Sequence, residues 1–361
     1  MSDSVQMAWE TLRGLPKPKL TELFASDAMR LEKLSTRVSL PEEAMLFDWS
    51  KTHLDDAHIE AFSILADAAG FAAGRTALLT GEIVNRTEGR AAEHTAQRGT
   101  GKAESVELAR GYHAQMASLV DAIHKGVLGE VRHLIHIGIG GSALGPALAV
   151  DALTRDGAMV DVHVVSNIDG CALEQAFAAC DPATTMLAIA SKTFTTIETM
   201  TNAQSALTWL GEGGVDDPYG RVVALTASPE KAMEWGVDQT RILAFSESVG
   251  GRYSLWSSIG FPVAIALGWP DFAEMLEGAA AMDRHFAEAD GVDNVALRAA
   301  FADQYYTRLR GCQTRAVFAY DERLALLPDY LQQLEMESNG KSVPAGGEPV
   351  DGPTAPITWG G

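Results

Sequence analysis

The sequence predicts an α/β chain built on a parallel sheet with helices on both faces, and three observations carry that expectation. Apolar runs rich in β-branched residues recur at 134–139, 162–165, 186–189 and 222–225. Helical stretches of about 10 to 15 residues separate them, which is the rhythm of βαβ units. The runs are continuously apolar instead of alternating, as strands covered on both faces are.

Taken in order, residues 1–128 read as a helical N-terminal region. Ile59, Phe62, Ala66 and Ala69 recur at helical spacing ahead of a stop at Gly81, and a second helix is expected over 103–125. The sheet domain is placed at 129–290, with a short fifth strand at 242–245 and helices at 256–267 and 272–287. Residues 291–361 supply a helix at 295–310, a strand at 315–319, a helix at 327–336 and a Gly/Pro-rich stretch at 343–356. One strand and one helix cannot make a doubly covered sheet, so this second αβ segment is expected to be incomplete.

Length supports two domains, since 361 residues exceed the ~150 of an average one. Hydrophobic residues at 47% and charged residues at 21% provide a globular core. With 28 Lys and Arg against 48 Asp and Glu the net charge is −20, which excludes a general nucleic-acid binder. A small anionic substrate is still allowed, because a pocket can be positive on an acidic protein. Cys171, Cys180 and Cys312 form no CxxC pair and no disulfide framework, so a reducing, cytoplasmic location is expected. The N-terminus lacks a basic start and an apolar signal stretch. The uncharged run 253–270 holds three serines, two glycines and Pro262, and reads as a buried helix instead of a membrane span.

Four segments could carry chemistry. Gly138-Ile139-Gly140-Gly141-Ser142-Ala143 follows a strand and opens a helix, so its backbone can approach an anion. It also satisfies a relaxed GxGxx[GA] dinucleotide pattern with Asp169 as a ribose partner, and a plain tight turn fits equally well. Ser191-Lys192-Thr193-Phe194-Thr195-Thr196 gathers hydroxyls, an ammonium and a helix start, which suits a phosphate monoester. A capping box from Thr195 to Glu198 explains the same residues without a ligand. Gly250-Gly251-Arg252 can aim a fixed cation into a cleft, or the arginine can make a surface ion pair. Gln332-Gln333-Leu334-Glu335-Met336-Glu337-Ser338-Asn339-Gly340-Lys341 places carboxylates beside an Asn-Gly turn, as a general base or as a solvated face. No metal ligands are assigned. His133 and His136 lie three apart in a strand and point to opposite faces, and no HExxH or zinc-spaced Cys/His cluster occurs.

Together and in this order, these segments resemble the glucose-6-phosphate isomerase (phosphoglucose isomerase) family. The likeness rests on Ser-Lys-Thr-Phe-Thr-Thr at 191–196, Val-Gly-Gly-Arg-Tyr-Ser-Leu-Trp at 249–256 and Met-Glu-Ser-Asn-Gly-Lys at 336–341. It extends to Thr-Glu-Gly-Arg at 87–90, Ser-Asn-Ile-Asp-Gly at 166–170 and the closing 354–360. The resemblance implies sugar-isomerase (SIS-type) αβα sandwiches and reversible conversion of glucose 6-phosphate to fructose 6-phosphate, as in glycolysis and gluconeogenesis. It implies no metal or organic cofactor. Carried over, Gly141, Ser142, Ser191, Lys192, Thr193 and Thr196 would surround the phosphate end of the sugar, with Gly251 and Gln333 contacting the sugar. Glu337 would be the catalytic base and Arg252 would face the negative charge of an enediolate.

Two departures from the family pattern stand out. Ala143 occupies a place where many members carry Asp. The sequence also stops at Gly361, ahead of the histidine and lysine that the family uses for ring opening. A fragment with impaired activity is therefore expected, one that forms a homodimer when full length, takes a sugar phosphate, and binds neither nucleic acid nor membrane. The other function classes are a non-catalytic sugar-phosphate-binding module and a dinucleotide-dependent oxidoreductase. A positioned Glu and Arg argue against the first, and the phosphate loop on the third strand argues against the second.

Overall fold

The computed structural model describes residues 2–361, and the chain divides into two compact units. The first holds the N-terminal residues up to Ala91 together with Glu277–Ala316 and Glu335–Thr358. Its core forms where Trp9 and Leu12 of the helix Asp3–Gly14 meet Phe62 of the helix Asp56–Ala68 and Phe301 of the helix Val295–Gln304. Phe62 stacks on Phe301 with centroids 5.2 Å apart. This unit departs from the helical reading of residues 1–128, for it carries an antiparallel hairpin of β1 (Ser35–Ser39) and β2 (Ala44–Asp48).

The second unit is a three-layer αβα sandwich. Its sheet contains β3 (His133–Gly138), β4 (Asp161–Val165), β5 (Thr185–Ala190), β6 (Val222–Thr226) and β7 (Ile242–Ala244), in the order β4-β3-β5-β6-β7 with every pair parallel. Alternate residues of β3 face opposite layers. Leu134 packs with Met116 and Val120 of the helix Ala103–His124 and with Val263 and Ile265 of the helix Phe261–Leu267. Ile135 and Ile137 pack with Leu173 of the helix Gly170–Ala179 and Leu207 of the helix Ile197–Glu212. All three β3 side chains are fully buried, and burial of each contributes about 1.5–3 kcal/mol. The continuous apolar runs are thus explained by cover on both faces.

The strand order places β4 on one side of β3 and β5 on the other. A topological switch point therefore lies between the carboxyl ends of β3 and β5, where open α/β sheets bind ligands. Gly138 pairs with Ala190 across this point.

Three expected helices are shorter than the apolar pattern suggests. Residues 251–260 form two three-ten turns ahead of the helix Phe261–Leu267. Ser254 Oγ donates to the Gly251 carbonyl at 2.6 Å, Ser257 Oγ to Ser254 at 2.7 Å and Ser258 Oγ to Ala244 at 2.6 Å. Hydroxyls that bond the backbone in this way compete with helical hydrogen bonding. The helices expected at 295–310 and 327–336 end at Gln304 and Leu331 and continue as π-turns, Tyr305–Leu309 and Gln332–Glu337. The late strand is β8 (Thr314–Val317), and it pairs with β9 (Ile357–Gly360) in a two-stranded sheet. No single described helix is long and apolar enough to cross a membrane.

Candidate active site

At the carboxyl end of β3 the chain turns through Gly140-Gly141-Ser142 into the helix Leu144–Leu153. Gly140 has φ +57°, and a Cβ there would stand 2.9 Å from Nε2 of Gln333, which places the Gln333 amide against the loop. At Gly141 a Cβ would overlap the carbonyl carbon of Gly251 and the nitrogen of Arg252. The two glycine loops therefore touch backbone to backbone, and only glycine fits at 141. Ser254 Oγ adds a 3.4 Å bond to the Gly141 carbonyl. This contact fixes the Arg252 loop beside the switch point. It also occupies the space that a pyrophosphate would need against the glycines. Asp169, the supposed ribose partner, instead caps the helix Gly170–Ala179, accepting from the Cys171 amide at 2.8 Å. The dinucleotide reading fails on both counts.

The second loop leaves β5. Ser191 is buried, with Oγ 3.0 Å from Oγ1 of Thr196, and Thr193 Oγ1 lies 2.8 Å from Oγ1 of Thr195. Phe194 is the only non-glycine residue with positive φ (53°) among the described residues, and its ring is buried edge-on to Trp235. Packing of that ring holds a backbone conformation that costs energy in isolation. The helix Ile197–Glu212 begins with Thr196 as N-cap and has no side-chain cap bond. The capping box expected from Thr195 to Glu198 is thus not formed, because Thr195 lies one position too early and its hydroxyl is paired with Thr193. The first-turn amides point out of the helix without a side-chain acceptor, an arrangement that favours an anion.

Lys192 connects the loops. Its Nζ donates to the carbonyls of Glu247 at 2.7 Å and Val249 at 3.0 Å, directly before the Gly250-Gly251-Arg252 turn. Arg252 lies over the Tyr253 ring at 5.1 Å, and Tyr253 stacks on His94 with centroids 4.6 Å apart. Burial, aided by the nearby Arg98 charge, pulls His94 down to about 4. His136 is fully buried on β3, and its Nε2 donates to the Ser142 carbonyl at 2.7 Å. Burial pulls His136 to about 4 as well, with that hydrogen bond opposing it. Both imidazoles are therefore neutral at neutral pH, and each supports one of the two glycine loops.

The structure thus brings Gly141, Ser142, Gly251, Arg252 and Gln333 together, and gathers Ser191, Thr193 and Thr196 at the neighbouring strand end. Glu337 ends the π-turn Gln332–Glu337 and belongs to the other unit. Glu337 is an exposed residue, and Glu335 pairs with Arg315, which also binds Asp303 at 2.9 Å. The Gly340 amide closes the turn by donating to Met336 at 2.8 Å. His94, His136 and Ser254 are supports that the sequence motifs do not assign. Ser254 sits inside the quoted motif, while the histidines carry no sequence signal beyond their type.

Comparison with known proteins agrees with this arrangement. The family model "Phosphoglucose isomerase" matches residues 48–361. A glucose-6-phosphate isomerase of Novosphingobium aromaticivorans is 71% identical over 354 residues, covering 98% of this chain and 69% of that relative. One from Erythrobacter litoralis is 68% identical over 369 residues, covering 100% and 71%. The crystal structure of a glucose-6-phosphate isomerase from Chlamydia trachomatis superposes with a TM-score of 0.87 at 27% identity, covering 99% of this chain and 70% of that one. The chain belongs to the phosphoglucose isomerase family.

Proposed function

We propose that the chain interconverts glucose 6-phosphate and fructose 6-phosphate through an enediolate. The observation that carries this reading is the backbone contact of Gly141 with Gly251 and Arg252, which sets a guanidinium beside an anion-ready loop pair. The hydroxyls of Ser142, Ser191, Thr193 and Thr196 and the first-turn amides of the helix Ile197–Glu212 hold the phosphate. That interaction stays uniform through the reaction and serves to anchor and orient the sugar. Lys192, which the resemblance places at the phosphate, acts as a strut between the phosphate loop and the arginine loop, because its Nζ donates to the Glu247 and Val249 carbonyls. Gln333 and Gly251 contact the sugar.

Glu337 is the base. It removes the proton from C2 of the open-chain aldose and returns it to C1, while the hydroxyl proton passes between O2 and O1. Arg252 stabilises the oxyanion without giving up a proton. Residues 129–290 form the first sugar-isomerase domain in this reading, supported by β3–β7, and residues 291–361 are part of a second, supported by β8 and β9. A homodimer and a cytoplasmic location belong to the same reading; the three free cysteines favour the latter.

The test is hydrogen exchange at C1 of fructose 6-phosphate, followed by NMR in deuterated water. The chain is expected to catalyse it, and Glu337→Gln to slow it by ~10²–10⁴-fold with sugar-phosphate binding retained. Unchanged exchange in the variant overturns the assignment of the base. Binding without exchange in the unaltered chain favours a non-catalytic sugar-phosphate-binding module.

A further inference from the structure

The opposite end of the same sheet carries a second constellation. Asp161 and His163 are two apart on β4 and share a face. His133 on β3 is in register with Asp161, and Ile135, two residues on, is in register with His163, so His133 lies diagonal to His163 on that face. Cys180, which directly follows the helix Gly170–Ala179 covering this face, closes the group. One ligating atom from each of His133, His163 and Cys180 lies within 4.8 Å of the other two. His133 Nδ1 is shielded from solvent and has no hydrogen-bond partner. His133, Asp161 and His163 line a surface hollow of about 400 Å³.

We propose that His133, His163 and Cys180 form a binding site for a borderline-soft divalent cation of the zinc type, with Asp161 or water in the fourth position. Two imidazoles and one thiolate suit zinc and exclude magnesium or calcium, which take oxygen ligands. Tetrahedral zinc places its ligands ~3.5 Å apart, so side-chain rotation closes the present spacing by about 1 Å. All three side chains are half-buried at the rim of the sheet, where such rotations are open to them. Burial holds the Cys180 thiol up at about 11, and the incoming cation displaces its proton to solvent. Burial and the neighbouring His133 charge lower His163, which favours the neutral imidazole that coordinates. β3 spans six residues, about 20 Å, so the site lies at the far end of the strand from Ser142 and stands independently of the isomerase reading.

The experiment uses the untagged full chain with zinc chloride in calorimetry and with cobalt chloride in absorption spectroscopy. Expected are one metal per chain and a thiolate-to-cobalt charge-transfer band. Cys180→Ser should abolish the band. His163→Asn, at a half-exposed position that tolerates change, should weaken zinc binding at least ~10-fold. Cys171→Ser should leave both measurements unchanged. Absence of saturable uptake, uptake without the thiolate band, or equal affinity in the Cys180→Ser chain would each overturn the proposal.

Discussion

Two histidines support the loops at the carboxyl end of the central sheet and two lie toward its amino end, and the two pairs are treated in opposite ways. At the carboxyl end His136 is fully buried beneath the Ser142 loop, and His94 lies flat against Tyr253 beside Arg252. Both are held neutral. At the amino end His133 and His163 open onto a hollow with a thiol beside them. The difference teaches that a ring type says little until its cover is known. His136 acts as a fixed donor and His94 as a stacking plate, whereas His133 and His163 stand beside a thiol at a surface hollow.

Acid is the strongest way to break this comparison. His94 and His136 both sit at about 4 when folded, below the ~6.5 of an unfolded histidine. The unfolded chain therefore binds more protons between these values, so stability falls as pH drops below ~6.5 and levels off near pH 4. From pH 7 to pH 5 each histidine should remove about 2 kcal/mol, read as a lower urea midpoint. His136→Asn should flatten that slope. An unchanged midpoint at pH 5 would show that the carboxyl-end imidazoles are not buried neutral.

Next in size is Gly141→Ala. The added methyl meets main chain on the opposing loop and has nowhere to go. Overpacking should cost ~1–3 kcal/mol, and displacing Arg252 should slow C1 exchange about 100-fold. Gly251→Ala is the control, because a Cβ there comes no closer than 4.0 Å to Gly141 and should leave the melting temperature in place. Equal destabilisation by both would mean that the loops are not in contact.

The smallest effect distinguishes two roles for one lysine. Lys192→Met removes the two carbonyl bonds that brace the arginine loop. As a strut, Lys192 should affect kcat more than KM, with kcat/KM falling ~10-fold. A rise in KM alone would return the ammonium to the phosphate.

Much of this fold is legible in the chain, for definite reasons. Strands β5 and β6 are buried at every position, so their apolar runs stand out. The hairpin is not legible, because β2 exposes Met45 and Leu46 and shows no inward–outward alternation. The run 256–267 reads as one helix from hydrophobicity, yet the hydroxyls of Ser257 and Ser258 direct its first part into tight turns, as Ser254 does just ahead of it. The anion loops are legible because each is contiguous in sequence. The His133–His163–Cys180 group is not, since its members meet only through strand register and the end of a covering helix. Spacing along the chain correctly separates His133 from His136 but cannot bring His133 to His163.

The meeting of Gly141 with Gly251 has a consequence for how this protein can drift over generations. Two segments more than a hundred positions apart meet main chain to main chain at Gly141, with no side chain at that point to exchange for another. A larger residue at 141 has no compensating change at 251 or 252, since both already present bare backbone there. Such a contact leaves one immovable position and no co-varying partner, so methods that infer proximity from paired substitutions pass over it.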